Sequence, residues 1–293
     1  MSFKKQLDLY IEVDVLTAGT TAEVVNAILE SLLYQRNQIP FVYKTYRYYV
    51  NKWLEQEGKQ SILDNEGYGV HSFQVQRKKQ QATTTKEAIS SMRETIKNTF
   101  ENKCVKSLRF LFGSTIFTAK EAYTVHVPTE NMAINHFHDH HRIPPAKLNQ
   151  TLLSLLTSED LYAIFSHNLN PTNIYLELEV LEKENLGSIS CKDSMKKSEI
   201  FPKDFSPLPA SCKDIHIYLV HKQSTTIDYK QLKCCKELQV FEDLINLNLE
   251  SNSDRQENKN AKSLANSIPA WWEAEIVIRG FKDQPIKGLN IWS

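Results

Sequence analysis

The chain has little glycine and no net charge, and each shortage argues against a class of function. Only eight glycines occur in 293 residues. None of them forms a phosphate loop, a Gly-x-Gly-x-x-Gly fingerprint or a Gly-x-Ser-x-Gly elbow, which argues against a nucleotide cradle or a serine nucleophile. The 35 basic side chains balance the 35 acidic ones, so no overall field recruits nucleic acid or an anionic membrane.

Cysteines and long apolar runs are also scarce. The five cysteines are an odd set without Cys-x-x-Cys. Because the amino-terminal residues include no long apolar stretch of the signal-peptide kind, this pattern predicts reduced thiols in the cytosol or nucleus. No uncharged apolar run is long enough to span a bilayer. Hydrophobic residues make up 41% of the chain, so we expect a globular protein with a sizeable core.

Hydrophobic periodicity predicts helices and strands along the chain. Apolar residues at spacings of three and four predict helices over 20–40, 41–53, 84–100, 144–156, 161–165 and 229–249. Alternation predicts strands over 7–15, 105–113, 123–127, 173–181, 215–220 and 271–280. Polar composition predicts a long loop over 57–81 and a disordered insertion over 251–267. The last strand lies far in sequence from its partners, which indicates an α+β domain, expected as one unit over 7–285.

Local signals refine the helix boundaries. Thr20 with Glu23, and Thr84 with Glu87, have the Thr-x-x-Glu spacing of a capping box, which predicts two helix starts. Pro40 is expected to close the first helix, since the residue before a proline leaves the helical region. Gln35 and Arg36 are predicted to face away from the apolar stripe of that helix.

Four short stretches carry a resemblance to a known family. They are YQRNQIP at 34–40, an apolar strand ending at Gly113 and followed by Lys120-Glu121, FPK at 201–203, and WWEAEIVIRGF at 271–281. Together they resemble the comet family, whose HORMA-like members bind the closed form of the mitotic-arrest-deficient spindle-checkpoint protein. The resemblance implies a mixed or antiparallel sheet backed by helices, with a C-terminal segment that wraps around it.

The resemblance also implies a function and its residues. Gln35 and Leu152 would contact the checkpoint protein, while Pro202 and Lys203 would contact an AAA+ remodelling ATPase of the pachytene-checkpoint type. Leu152 departs from relatives, which carry an aromatic residue there, and it also belongs to its helix's core stripe. An arginine that follows the Pro-Lys pair in relatives has no counterpart. The expected protein is a non-enzymatic adaptor of the nucleus and cytoplasm, without cofactor, that silences the spindle checkpoint.

Two alternatives remain open at this stage. The chain could be a HORMA protein that traps a peptide beneath its own C-terminal segment. It could instead be a metal-dependent enzyme that uses the cluster HFHDHH, His136 to His141, whose imidazoles could ligate zinc or nickel. The dinuclear hydrolase pattern His-x-His-x-Asp-His places aspartate fifth, whereas Asp139 is fourth here, and no second cluster supplies further ligands. We therefore predict no metal site, and we expect Cys234 and Cys235 to be inert thiols.

Overall fold

A computed structural model describes residues 4–13, 15–60, 70–129, 132, 141–183, 200–221, 267–285 and 291–292. The strands in these ranges are β1 (Lys4–Ile11), β2 (Cys104–Gly113), β3 (Ala119–His126), β4 (Asn173–Lys183), β5 (Ile200–Lys203), β6 (Lys213–His221), β7 (Ser267–Ala274) and β8 (Ile278–Arg279). The helices are α1 (Ala18–Gln35), α2 (Tyr43–Gln60), α3 (Val70–Asn102), α4 (Pro145–Leu156) and α5 (Glu159–Phe165).

The strands form one mixed sheet. Its order is β1-β6-β3-β2-β4-β7-β5, with β8 paired to β4. Strand β6 runs parallel to both β1 and β3, and the other pairings are antiparallel. The structure therefore confirms the predicted α+β class with a mixed sheet backed by helices.

The two faces of the sheet differ in what covers them. Alternate residues of β2, namely Leu108, Phe110 and Phe112, are buried with the apolar stripes of the helices in the main core. Leu111 points to the opposite face, where a small second cluster forms with Ala119, Ala122 and Cys212, against which Leu208 packs. The loop between β5 and β6 therefore covers part of the face that the helices leave open.

Gly113 ends β2 for a steric reason. A Cβ at this position would lie 2.6 Å from Ala119 Cα and 2.7 Å from the Thr118 carbonyl oxygen. The register between β2 and β3 also shifts here. Glycine is therefore needed for the close approach of the two backbones.

Both predicted capping boxes are wrong. Helix α1 is capped by Thr17, whose hydroxyl accepts from the Thr20 backbone N–H, while the Thr20 hydroxyl accepts from the Thr17 N–H. Thr84 lies inside α3, where its hydroxyl donates to the Gln80 carbonyl. Two threonines thus form a reciprocal cap without the glutamate that the spacing rule expects.

Other boundaries also differ from the prediction. Residues 57–60 belong to α2 and 70–81 to α3, so the predicted loop over 57–81 is wrong there, and 61–69 lie outside the described residues. The stretch around Pro202, for which no strand is predicted, is strand β5. The predicted terminal strand over 271–280 is divided between β7 and β8. The predicted helix over 229–249 lies outside the described residues, as does the insertion apart from Ser267.

Candidate functional site

A polar cleft opens where α1 ends. Residues within 34–40, 168–171 and 281–283 line it, and its volume is about 600 Å³. Gln35 is among these residues and is half-buried. We call this feature the Gln35 cleft.

The first side of the cleft is built by the way α1 terminates. The Gln38 N–H donates to the Leu33 carbonyl at 2.8 Å, and the Asn37 N–H donates to the Tyr34 carbonyl at 3.0 Å. This is the Schellman pattern, and Asn37 has the left-handed φ of 56° that the pattern requires. The helix therefore ends at Gln35, two residues before the left-handed Asn37, and the prediction that Pro40 closes it is wrong.

Arg36 points inward, contrary to the prediction that it faces away from the core. Its Nε and Nη2 donate to the two carboxylate oxygens of Glu121 at 2.9 and 2.8 Å. Only 1% of the Arg36 side chain and 3% of the Glu121 side chain are exposed. Tyr123 also donates to Glu121, and burial, followed by the Glu121 charge, raises the pKa of Tyr123 well above its usual value. The bidentate pair fixes the end of α1 to the start of β3.

Gln38 joins the three sides of the cleft. Its side-chain amide donates to the Arg36 carbonyl at 2.6 Å and accepts from the Thr172 N–H at 2.7 Å. Its backbone carbonyl accepts from the Phe281 N–H at 2.7 Å. Gly280 fits beside it because a Cβ there would lie 2.3 Å from Gln38 Oε1. The fully buried Gln38 was missed by the sequence reasoning, since periodicity gives no signal for a buried amide.

The cleft combines hydrogen-bonding amides with the charged side chains of Lys282 and Asp283. Amide side chains come from Gln35, Asn37, Asn168 and Asn170, and Asn37 Nδ2 donates to Asn168 Oδ1 at 3.0 Å. Tyr34 adds an aromatic ring that is 40% exposed. Donors and acceptors beside an exposed ring suit contacts with another polypeptide.

Leu152, the second residue expected to contact the partner, lies elsewhere. It is half-buried on α4 and packs against the main core, and the described residues lining the Gln35 cleft do not include it. Its neighbour Leu153 is 59% exposed. Leu153 is therefore a large apolar side chain of α4 that is exposed and accessible to a partner.

Pro202 and Lys203 lie on β5, the outermost strand at one end of the sheet. Pro202 is exposed. Lys203 is 15% exposed and forms ion pairs with Glu177 and, at 3.1 Å, with Glu273. Glu177 also pairs with Arg109. The Lys203 ammonium is thus already neutralised within the chain.

The proposed metal and thiol positions are only partly described. His141 is the one member of the His136–His141 cluster within the described residues, and across those residues no three His, Cys, Asp or Glu side chains are grouped to hold a metal ion. Burial raises the pKa of Cys212 to about 12. Cys234 and Cys235 lie outside the described residues. None of the described helices combines the length and apolarity needed to cross a membrane.

Comparison with known proteins identified no relative that would assign a function to the site. The chain matches no protein-family model and no curated protein sequence.

Proposed function

We propose that this chain is a HORMA-like adaptor that binds the closed conformer of the mitotic-arrest-deficient spindle-checkpoint protein and presents it to an AAA+ ATPase. The ATPase would remodel the client, and the adaptor itself would perform no chemistry. Acting in the nucleus and cytoplasm, it would help to silence the spindle checkpoint. The observation that carries this proposal is the YQRNQIP stretch, in which hydrogen bonds hold the end of α1 as a rigid corner and Gln35 lines the polar cleft.

The rigidity of this corner supports a recognition role. The Schellman turn, the Arg36–Glu121 pair and Gln38 fix the backbone on both sides of Gln35. A side chain on a fixed backbone loses little further freedom when a partner binds, so more of its contact energy contributes to affinity. An interface of about 800 Å² per partner would suffice for a regulated complex.

The end of the described chain supports the HORMA-like fold. Strand β7 lies between β4 and β5, and the chain then passes β8 to reach Gln38 at the end of α1. This course agrees with a C-terminal segment that wraps around the sheet. The FPK stretch is not among the described residues that line the Gln35 cleft, which would leave β5 accessible to a second partner.

The direct test is a calorimetric titration against the checkpoint protein prepared separately in open and closed forms. We expect binding to the closed form alone. Replacing Gln35 by Ala should weaken binding about tenfold, which corresponds to about 1.4 kcal/mol. Gln74→Ala, an exposed glutamine on α3, is the matched control and should leave binding unchanged. Absence of binding to both forms would overturn the proposal.

The contribution of α4 needs a variant that spares the core. Leu152→Asp would place a charge against the core, so a loss of binding by this variant could result from unfolding. Leu153→Asp changes an exposed side chain on the same helix, so a loss of binding by this variant would assign α4 to the interface.

For the ATPase surface, Pro202→Ala should reduce ATPase-dependent client release while client binding is retained.

A further inference from the structure

Trp292 lies inside a group of aromatic rings. Its side chain is 6% exposed. The nearest ring is that of Trp53, with centroids 4.6 Å apart, and four more rings lie within 6.0 Å: Phe41, Tyr46, Tyr49 and Phe281. The five rings around Trp292 are called the aromatic box.

Most of the aromatic box is built on a rigid element. Tyr46, Tyr49 and Trp53 follow one another at spacings of three and four on α2, so they share one face of that helix. The Tyr46 hydroxyl donates to the Ala82 carbonyl of α3 at 3.0 Å. The Lys79 ammonium lies 5.5 Å from the centre of the Trp53 ring. Three of the five rings are therefore positioned by α2 and its contacts with α3, independently of Trp292.

One ring connects the aromatic box to the Gln35 cleft. Phe281 meets Trp292 edge to face, at 5.7 Å and 82°, while its backbone N–H donates to the Gln38 carbonyl. Residues 281–283 form one side of the cleft. Packing at Trp292 and the position of this side are thus coupled through a single residue.

We propose that the aromatic box is a binding site for an indole ring, occupied in cis by Trp292, and that this occupancy positions residues 281–283 as one side of the Gln35 cleft. The ligand class follows from the geometry, because tilted and edge-to-face rings on several sides enclose a flat bicyclic group. Removing the Trp292 side chain leaves an apolar cavity of indole shape, and such cavities bind small aromatic molecules. The consequence for partner binding rests on the proposed function, whereas the indole site does not.

The test uses the full chain with Trp292→Gly and free indole. Hydrogen exchange at the Phe281 amide reports whether its bond to Gln38 is held. We expect exchange there to be at least about tenfold faster in Trp292→Gly than in the wild type, and millimolar indole should restore it. The wild type, whose box is filled, should not respond to indole.

A double variant tests whether the rescue is specific to the box. Trp292→Gly with Trp53→Ala lacks the nearest ring and should lose the rescue by indole. Should Trp292→Gly fail to fold, Trp292→Phe keeps one ring and should show a smaller increase in exchange. Exchange at Phe281 that stays at the wild-type rate in both single variants, or that rises in Trp292→Gly without recovery in indole, would overturn the indole site.

A binding measurement separates this inference from the proposed function. With the closed checkpoint protein as probe, Trp292→Gly should bind several-fold more weakly than the wild type, and indole should restore its affinity. Equal affinity despite faster exchange would overturn the positioning role. If the wild type binds neither form while indole still rescues exchange, the adaptor function is wrong and the indole site is supported.

Discussion

The buried ion pair between Arg36 and Glu121 illustrates what single residues decide in this protein. Sequence reasoning assigned Arg36 to the solvent because it follows the apolar stripe of α1. The Schellman turn instead rotates the chain so that the guanidinium meets Glu121 from β3, 85 positions later. Only the approach of two distant elements makes this burial possible, since an unpaired charge could not be placed there.

Arg36→Met is expected to lower the free energy of unfolding by about 3 kcal/mol, because it leaves the Glu121 charge buried without its main partner. Lys213, 3.7 Å from Glu121, compensates part of the loss. Urea unfolding followed by circular dichroism measures the change. The double variant Arg36→Met/Glu121→Gln should recover part of it, and a loss below about 1 kcal/mol for the single variant would contradict this account.

His126 should make stability depend on pH. Burial, followed by the charge of His216, lowers the pKa of His126 from 6.5 to about 4. Lys106 also lowers it, while Glu179 and Asp214 act in the opposite direction. Between pH 6.5 and 4 the unfolded chain takes up a proton at this site that the folded chain does not, so stability should fall as the pH falls through that range.

The variant His126→Gln isolates this effect. Its unfolding free energy, measured in urea at several pH values, is subtracted from that of the wild type. Because the variant cannot take up this proton, the difference should shift in favour of the wild type as the pH rises from 4 to 6.5 and then level off. A difference that is constant with pH would show that His126 does not carry the effect.

At the scale of elements, α3 shows how tertiary contacts override a polar composition. The stretch 70–81 is rich in Gln, Lys and Arg, which are good helix formers, yet it lacks the apolar spacing that predicts a helix. In the structure the Lys78 ammonium lies over the Phe281 ring and that of Lys79 lies over the Trp53 ring. These cation–π contacts, together with Val75 packed against the main core, hold the stretch in place although it lacks a regular apolar stripe.

The substitution Gln81→Pro tests whether residue 81 lies in a helix, as in the structure, or in the loop that the sequence predicts. Gln81 is exposed within α3, so Gln81→Pro loses no side-chain packing but removes a helical hydrogen bond. We expect destabilisation by about 3 kcal/mol and a loss of helical circular dichroism. Gln81→Ala is the control and should be close to neutral. Tolerance of the proline would mean that this region is not helical.

At the scale of the whole molecule, sheet order is the property that local pattern could not give. Alternation located β4 and the second half of β7, but β5 was missed because four residues containing a proline give no period. Strand β7 pairs with β4 on one side and β5 on the other. These three strands lie far apart in the sequence, so no local pattern selects their pairing.

The candidate site likewise combines features that the sequence predicts with features that only the tertiary structure supplies. The sequence placed Gln35 near the end of a helix, and the structure agrees. In β7, Trp272 packs against the main core, whereas Trp271 lies beside Arg109. Gln38, Phe281 and Trp292 gain their roles only when distant segments meet.

The sequence by itself therefore determined the α+β class and the faces of most strands and helices, because periodicity records which side of an element is buried. The tertiary structure decided the burial of Arg36, the shape of the Gln35 cleft and the filling of the aromatic box. Each of these depends on contacts between residues far apart in the chain, and local spacing carries no information about such contacts.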